Sequence, residues 1–148
     1  MKERYEIFTR LISKINRNIR RIKTEEMAEF ELKSPHVSCL YYLYKEKKLC
    51  ASELSDRCDE DKAAISRSID YLEDAGYIKC DVSGTKRYKA DLSLTDKGLA
   101  VAEKIAAKID RVLMLVGEGL TEEERRALYE GLETVSANLE GIVDTYKK

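Results

Sequence analysis

The chain has 148 residues, 37% of them charged, and its 27 basic and 28 acidic side chains leave a formal net charge of −1. That length suits a single domain with a substantial core, and the balanced charge means that any affinity for nucleic acid must come from where the charges sit. No run of eighteen apolar residues occurs and "MKERYEIFTR" carries no apolar leader, so neither a membrane span nor a secretory signal is expected, and the protein is expected to be cytoplasmic.

Residues 4–24 read as a long helix, with Ile7, Leu11, Ile15, Ile19 and Ile22 recurring at helical spacing. Its other side carries Arg10, Lys14, Arg17, Arg20, Arg21 and Lys23. Ser34-Pro35 reads as the start of a second helix, with Ser34 as its N-cap, carrying Val37, Leu40, Tyr41, Leu43 and Tyr44. Residues 51–57 form a short third helix. Asp61 caps a fourth, which runs to about Ala75 and stops at Gly76, with Ile65, Ile69 and Leu72 as its buried stripe.

The period then changes. "YIKCDVSGTKRYKADLSL" reads as two short strands around a turn at Ser83-Gly84-Thr85-Lys86, the second alternating Tyr88, Ala90, Leu92 and Leu94 with wet residues. Thr95 caps a fifth helix to about Val116, with Ala102, Ile105, Ile109, Val112 and Val116 along it; Gly117 and Gly119 break it. Thr121-Glu122-Glu123-Glu124 is a capping box opening a sixth helix. That helix spaces Leu128, Leu132, Val135, Leu139, Ile142 and Tyr146 in alternating steps of four and three, a seam suited to another helix.

A short helix, a tight link, a second helix and then a hairpin is the order of a winged helix-turn-helix, with the fourth helix of the chain as the recognition helix. At about 100° per residue, Ala63, Ser66, Arg67 and Asp70 fall opposite Ile65. Small residues let the backbone approach base edges, Ser66 can donate to a base or phosphate, and Arg67 can reach guanine or phosphate. Lys62, Ala63, Ala64, Ser66, Arg67 and Asp70 are therefore the candidate DNA contacts on the helix. The basic wing adds Lys86, Arg87 and Lys89, suited to a minor groove.

The same residues resemble the MarR (multiple antibiotic resistance regulator) family. The resemblance rests on Glu53-Leu54, Asp61-Lys62, Ile65-Ser66-Arg67, Leu72-Glu73, Gly76-Tyr77-Ile78 and Leu94-Thr95-Asp96-Lys97-Gly98. It is densest over 34–98 and extends along essentially the whole chain. At the wing tip, where the family usually has Asp-Arg-Arg, this chain has Lys86-Arg87-Tyr88, so one arginine remains without its usual acidic support.

The resemblance implies a mainly α fold with a small β-hairpin wing, a winged helix-turn-helix core over 34–94 flanked by long dimerisation helices at 4–33 and 95–146, all in one MarR-like domain over 1–148. It implies a homodimer and a DNA-binding transcriptional regulator of the repressor kind, acting on double-stranded DNA at an inverted repeat. The apolar stripes of the first, fifth and sixth helices independently call for a second copy. Half-sites about 10 bp apart would follow. The resemblance also implies a small amphipathic or aromatic effector in a cleft, for which Ile12, Ile15, Tyr41, Tyr42 and Tyr44 are the candidate lining residues.

Other functions find less footing in the residues. There is no nucleophile–base motif, no phosphate-cradling loop and one histidine, so an enzyme is not expected, nor any cofactor. Cys39, Cys50, Cys58 and Cys80 contain no C-x-x-C pair and read as free thiols packed as small hydrophobes. A redox-responsive cysteine regulator remains the alternative, with Cys50 near a helix N-terminus as its best placed thiol. His36 and Cys39 share one helix at i, i+3, but no second pair accompanies them, so no metal is expected and His36 is expected in an exposed first turn. A winged-helix protein-interaction module without DNA is the remaining reading, and the basic residues Arg67 and Arg87 weigh against it.

Overall fold

A computed structural model describes residues 2–81 and 89–147. The order is α1 (Lys2–Met27), a 3-10 turn (Ala28–Phe30), α2 (Ser34–Glu46), α3 (Ala51–Cys58), α4 (Lys62–Asp74), β1 (Ile78–Cys80), β2 (Leu92–Leu94), α5 (Asp96–Val116) and α6 (Glu122–Asp144). The chain packs as two compact units that divide inside α5, one ending at Lys108 and the other beginning at Ile109.

The first unit is built on α2, α3 and α4. Val37, Leu40 and Leu43 of α2, Leu54 of α3, and Ile65 and Leu72 of α4 are each at most 1% exposed. Burying each large aliphatic side chain contributes about 1.5–3 kcal/mol, so this cluster holds the three helices together. Ala102 and Ile105, on the first half of α5, are fully buried as well.

Local signals set most of the helix ends. Asp61 Oδ1 accepts the Ala64 N–H at 2.7 Å, the cap expected for α4. Gly76, at φ +80°, ends it in a conformation that a side chain would resist. Thr121 and Glu124 form the reciprocal box on α6: the Glu124 N–H donates to Thr121 Oγ1 at 3.2 Å, and the Thr121 N–H donates to Glu124 Oε2 at 2.8 Å.

The start of α2 differs from expectation. Lys33, not Ser34, occupies the N-cap position, and no side chain of that residue caps the helix. Ser34 is already helical, and the Lys33 N–H is instead taken by His36 Nδ1 at 3.2 Å. α1 also runs three residues beyond the expected end before tightening into the 3-10 turn.

β1 and β2 pair antiparallel with Ile78 opposite Leu94 and Cys80 opposite Leu92. β2 is shorter than the alternation predicts: Ala90 is buried as the pattern requires, but the described ladder starts at Leu92. Leu92 also bridges to Leu49 on its other edge, exchanging hydrogen bonds at 2.9 and 3.3 Å. The link between α2 and α3 thus ties the wing base to the helical core.

In the second unit, α6 carries its seam in the open. Leu128, Leu132, Leu139 and Ile142 are between 42% and 51% exposed. In the first unit, Ile7, Leu11, Ile15 and Ile19 of α1 are equally bare, between 47% and 56%.

Candidate nucleic-acid interface

The buried stripe of α4 orients its opposite side. With Ile65 and Ile69 packed inward at 1% and 5% exposure, Lys62, Ala63, Ser66, Arg67 and Asp70 are all exposed. Ala64, also expected on this face, is half-buried, and its N–H donates to the Asp61 cap. The expected face therefore exists as one continuous strip of small, hydroxyl and guanidinium groups along a 13-residue helix.

A cleft flanks this strip on each side. One, of about 730 Å³, brings Lys62, Ser66 and Asp70 together with Lys89 and with Cys50, Ala51 and Ser52 at the start of α3. The other, of about 340 Å³, sets Arg67 and Ala64 beside Lys33, Pro35 and His36 of the α2 entry and Tyr71 of α4. Of the expected wing contacts, Lys89 is described and exposed, whereas Lys86 and Arg87 lie outside the described residues.

The second cleft holds side chains that sequence reasoning passed over. His36, expected to be exposed, is 8% exposed and stacks on Tyr71, with ring centroids 4.3 Å apart and planes 8° from parallel. Burial, with the Lys33 charge adding to it, holds the imidazole below its ordinary pKa, so it stays neutral and can accept the Lys33 N–H. Tyr71 lies four residues after Arg67, hence on the same helical face, and that spacing was the available signal.

The end of α4 is clamped from the wing side. Thr95 Oγ1 donates to the Gly76 carbonyl at 2.6 Å and accepts the Gly98 N–H at 3.1 Å, so it both caps α5 and ties it to the α4 terminus. Lys97 Nζ donates to the Ala75 carbonyl at 2.7 Å and sits 4.4 Å from the centre of the Tyr77 ring. Gly98 has no room for a side chain, since a Cβ there would collide with the Tyr77 carbonyl. The Leu94-Thr95-Asp96-Lys97-Gly98 motif thus fixes the end of α4 against the start of α5.

The residues expected to line an effector cleft are not gathered in this way. Ile12 and Ile15 are 38% and 52% exposed on α1. Tyr41 and Tyr42 pack edge to face at 5.3 Å on α2, and Tyr44 lies under the Lys47 ammonium. None of the four cavities described joins the α1 isoleucines to these tyrosines. Among the described residues no group of three or more His, Cys, Asp or Glu could hold a metal ion. No helix there is long and apolar enough to cross a membrane.

This geometry, a three-helix core presenting one bare helix beside a two-stranded wing, defines a winged helix. The sequence pattern of winged helix DNA-binding domains matches residues 36–113, more than half of the chain, and the chain belongs to that family. Within it, the chain is a DNA-binding regulator of the MarR type. It is similar to the HTH-type transcriptional regulator PapX of Escherichia coli, with 26% identity over 123 residues, which is 82% of this chain and 75% of that protein. A MarR protein from Peptoclostridium difficile superposes with a TM-score of 0.81 at 25% identity, over 95% of this chain and 92% of the other. The DNA complex of MepR from S. aureus has the same fold, with a TM-score of 0.78 at 18% identity, over 89% and 97% of the two chains.

Proposed function

We propose that this regulator works as a homodimer that lays α4 of each copy into successive major grooves of an inverted-repeat operator and represses transcription from it. The carrying observation is the exposed strip Lys62, Ala63, Ser66, Arg67 and Asp70, backed by an inner face of Ile65, Ser68, Ile69 and Leu72 that is buried in the core. Small residues allow close approach, and Arg67 supplies the group best suited to read a guanine edge bidentately. Lys86, Arg87 and Lys89 serve as the wing contacts. Acting on DNA implies a cytoplasmic location. Ligand release by a small amphipathic or aromatic molecule belongs to the same reading, with Ile12, Ile15, Tyr41, Tyr42 and Tyr44 as its candidate contacts.

The dimer is supported by apolar side chains left in water. Two helices with half-exposed isoleucine and leucine stripes exceed what a solitary chain ordinarily shows, and a two-fold pairing would cover both.

To test the reading, genomic fragments retained by the protein are selected and the recovered operator is titrated against wild type and Arg67→Ala. The variant is expected to lose about 1–3 kcal/mol of binding free energy with its oligomeric state unchanged. Binding should also weaken steeply as salt rises, because phosphate contacts release counterions. Equal affinity of the two proteins removes Arg67 from the interface.

A further inference from the structure

The two flanks of the α4 strip differ in charge. On the α2 side, the cleft of about 340 Å³ has Lys33 and Arg67 as its charged lining residues and no carboxylate in its walls. The cleft on the wing side includes the Asp70 carboxylate. Among the described residues no ion pair engages Lys33 or Arg67. Both are exposed, and so is Tyr71, at 46%.

We infer that the α2-side cleft receives one backbone phosphate of the DNA, held by the Lys33 ammonium and the Tyr71 hydroxyl, with His36 as the residue that positions both. The inference rests on the DNA-binding role proposed above and adds a sequence-independent contact to it.

Groove dimensions supply the argument. An α-helix is about 10–12 Å across with its side chains, and the major groove is about 12 Å wide, so a helix seated there has a phosphate strand along each flank. At about 100° per residue, Tyr71 lies about 40° around the helix from Arg67, and its contact with His36 shows that this turn is toward α2. With Arg67 directed at a base edge, the strand on its outer side passes the cleft. An ammonium and a hydroxyl together suit a phosphate, since one supplies charge and the other a directed hydrogen bond.

Lys33 and Tyr71 belong to different parts of the chain, and His36 joins them. Its ring stacks on Tyr71 with centroids 4.3 Å apart and planes 8° from parallel, and its Nδ1 accepts the Lys33 N–H at 3.2 Å. His36 is 8% exposed, so it acts through these two neighbours and not on the DNA itself. A ring and a backbone already fixed lose less freedom when the phosphate arrives.

The test titrates the selected operator and an unrelated duplex with the full-length wild type, Lys33→Gln and Tyr71→Phe over a series of salt concentrations. Both side chains are exposed and phenylalanine keeps the ring stack, so these variants retain the fold. Lys33→Gln is expected to reduce the slope of log K against log salt by about 1 and to weaken both duplexes by the same factor, as loss of one phosphate contact does. Tyr71→Phe is expected to weaken both by about fivefold. Single methylphosphonate replacements along the operator should reveal one phosphate per half-site whose neutralisation costs wild type affinity and costs the Lys33→Gln, Tyr71→Phe double variant nothing. His36→Gln should weaken binding by the otherwise wild-type chain and add nothing to that double variant, a result that general loosening of the fold does not give.

An unchanged salt slope for Lys33→Gln, a loss confined to the operator, or no such phosphate overturns the cleft, while operator binding by wild type keeps the regulator reading in place. Undiminished binding by Tyr71→Phe removes its hydroxyl from the site, and an additive loss from His36→Gln overturns its positioning role. Wild type that binds neither duplex at low salt contradicts both readings.

Discussion

At the scale of single residues, His36 shows what the sequence displays and what it hides. A lone histidine one residue after a proline reads as an exposed first-turn side chain. Its burial depends on Tyr71, 35 positions later, whose ring becomes a neighbour only when α4 packs on α2. The consequence for pH follows in sign. The folded imidazole has a pKa below the ordinary 6.5, so the unfolded chain binds the proton more readily. Stability from this residue is complete above the ordinary value and is lost as pH falls toward the lower folded one. Protonation would also remove the acceptor that takes the Lys33 N–H. Thermal unfolding compared at about pH 7.5 and about pH 5 should show a larger acid-induced drop for wild type than for His36→Gln, since other groups titrate equally in both. Equal drops would contradict the stacked, neutral histidine.

Between residues and the whole lie the elements, and most of these were legible. Asp61, Thr95 and Thr121 cap α4, α5 and α6 as local patterns require, because a cap needs only three or four consecutive residues. The 3.6-residue period likewise predicts Ile65, Ile69 and Leu72 as the inner face of α4, and they are buried. Two things escaped for want of tertiary information. The Leu49 bridge to Leu92 joins segments 43 positions apart, and nothing near Leu49 marks a strand. The α2 cap moved to Lys33 because His36 supplies a partner that a short cap pattern does not include.

The junction between wing and α5 carries the strongest prediction at this scale. Gly98 sits so close to the Tyr77 carbonyl that any Cβ must push the α4 terminus away from α5. Gly98→Ala is expected to cost about 1–3 kcal/mol or more in chemical denaturation, as overpacking against backbone does, and to weaken operator binding by disturbing the Thr95 and Lys97 clamps. An unchanged unfolding midpoint would show that the junction is looser than the contact implies.

For the whole molecule, the decisive feature is apolar surface without cover. Ile7, Leu11, Ile15 and Ile19 on α1, and Leu128, Leu132, Leu139 and Ile142 on α6, were readable as stripes, but a stripe alone does not say whether it faces a core or a partner. The structure leaves both half-exposed, and Tyr146 is 74% exposed near the end. The proposed pairing of two copies would cover these stripes and double the number of recognition helices, which a palindromic site requires. The direct measurement is sedimentation of the protein with a duplex carrying the selected inverted repeat, read for stoichiometry. The account predicts two chains per duplex, assembled from a dimer already present without DNA. A single chain per duplex, or a monomer that ignores the repeat at low salt, would contradict it.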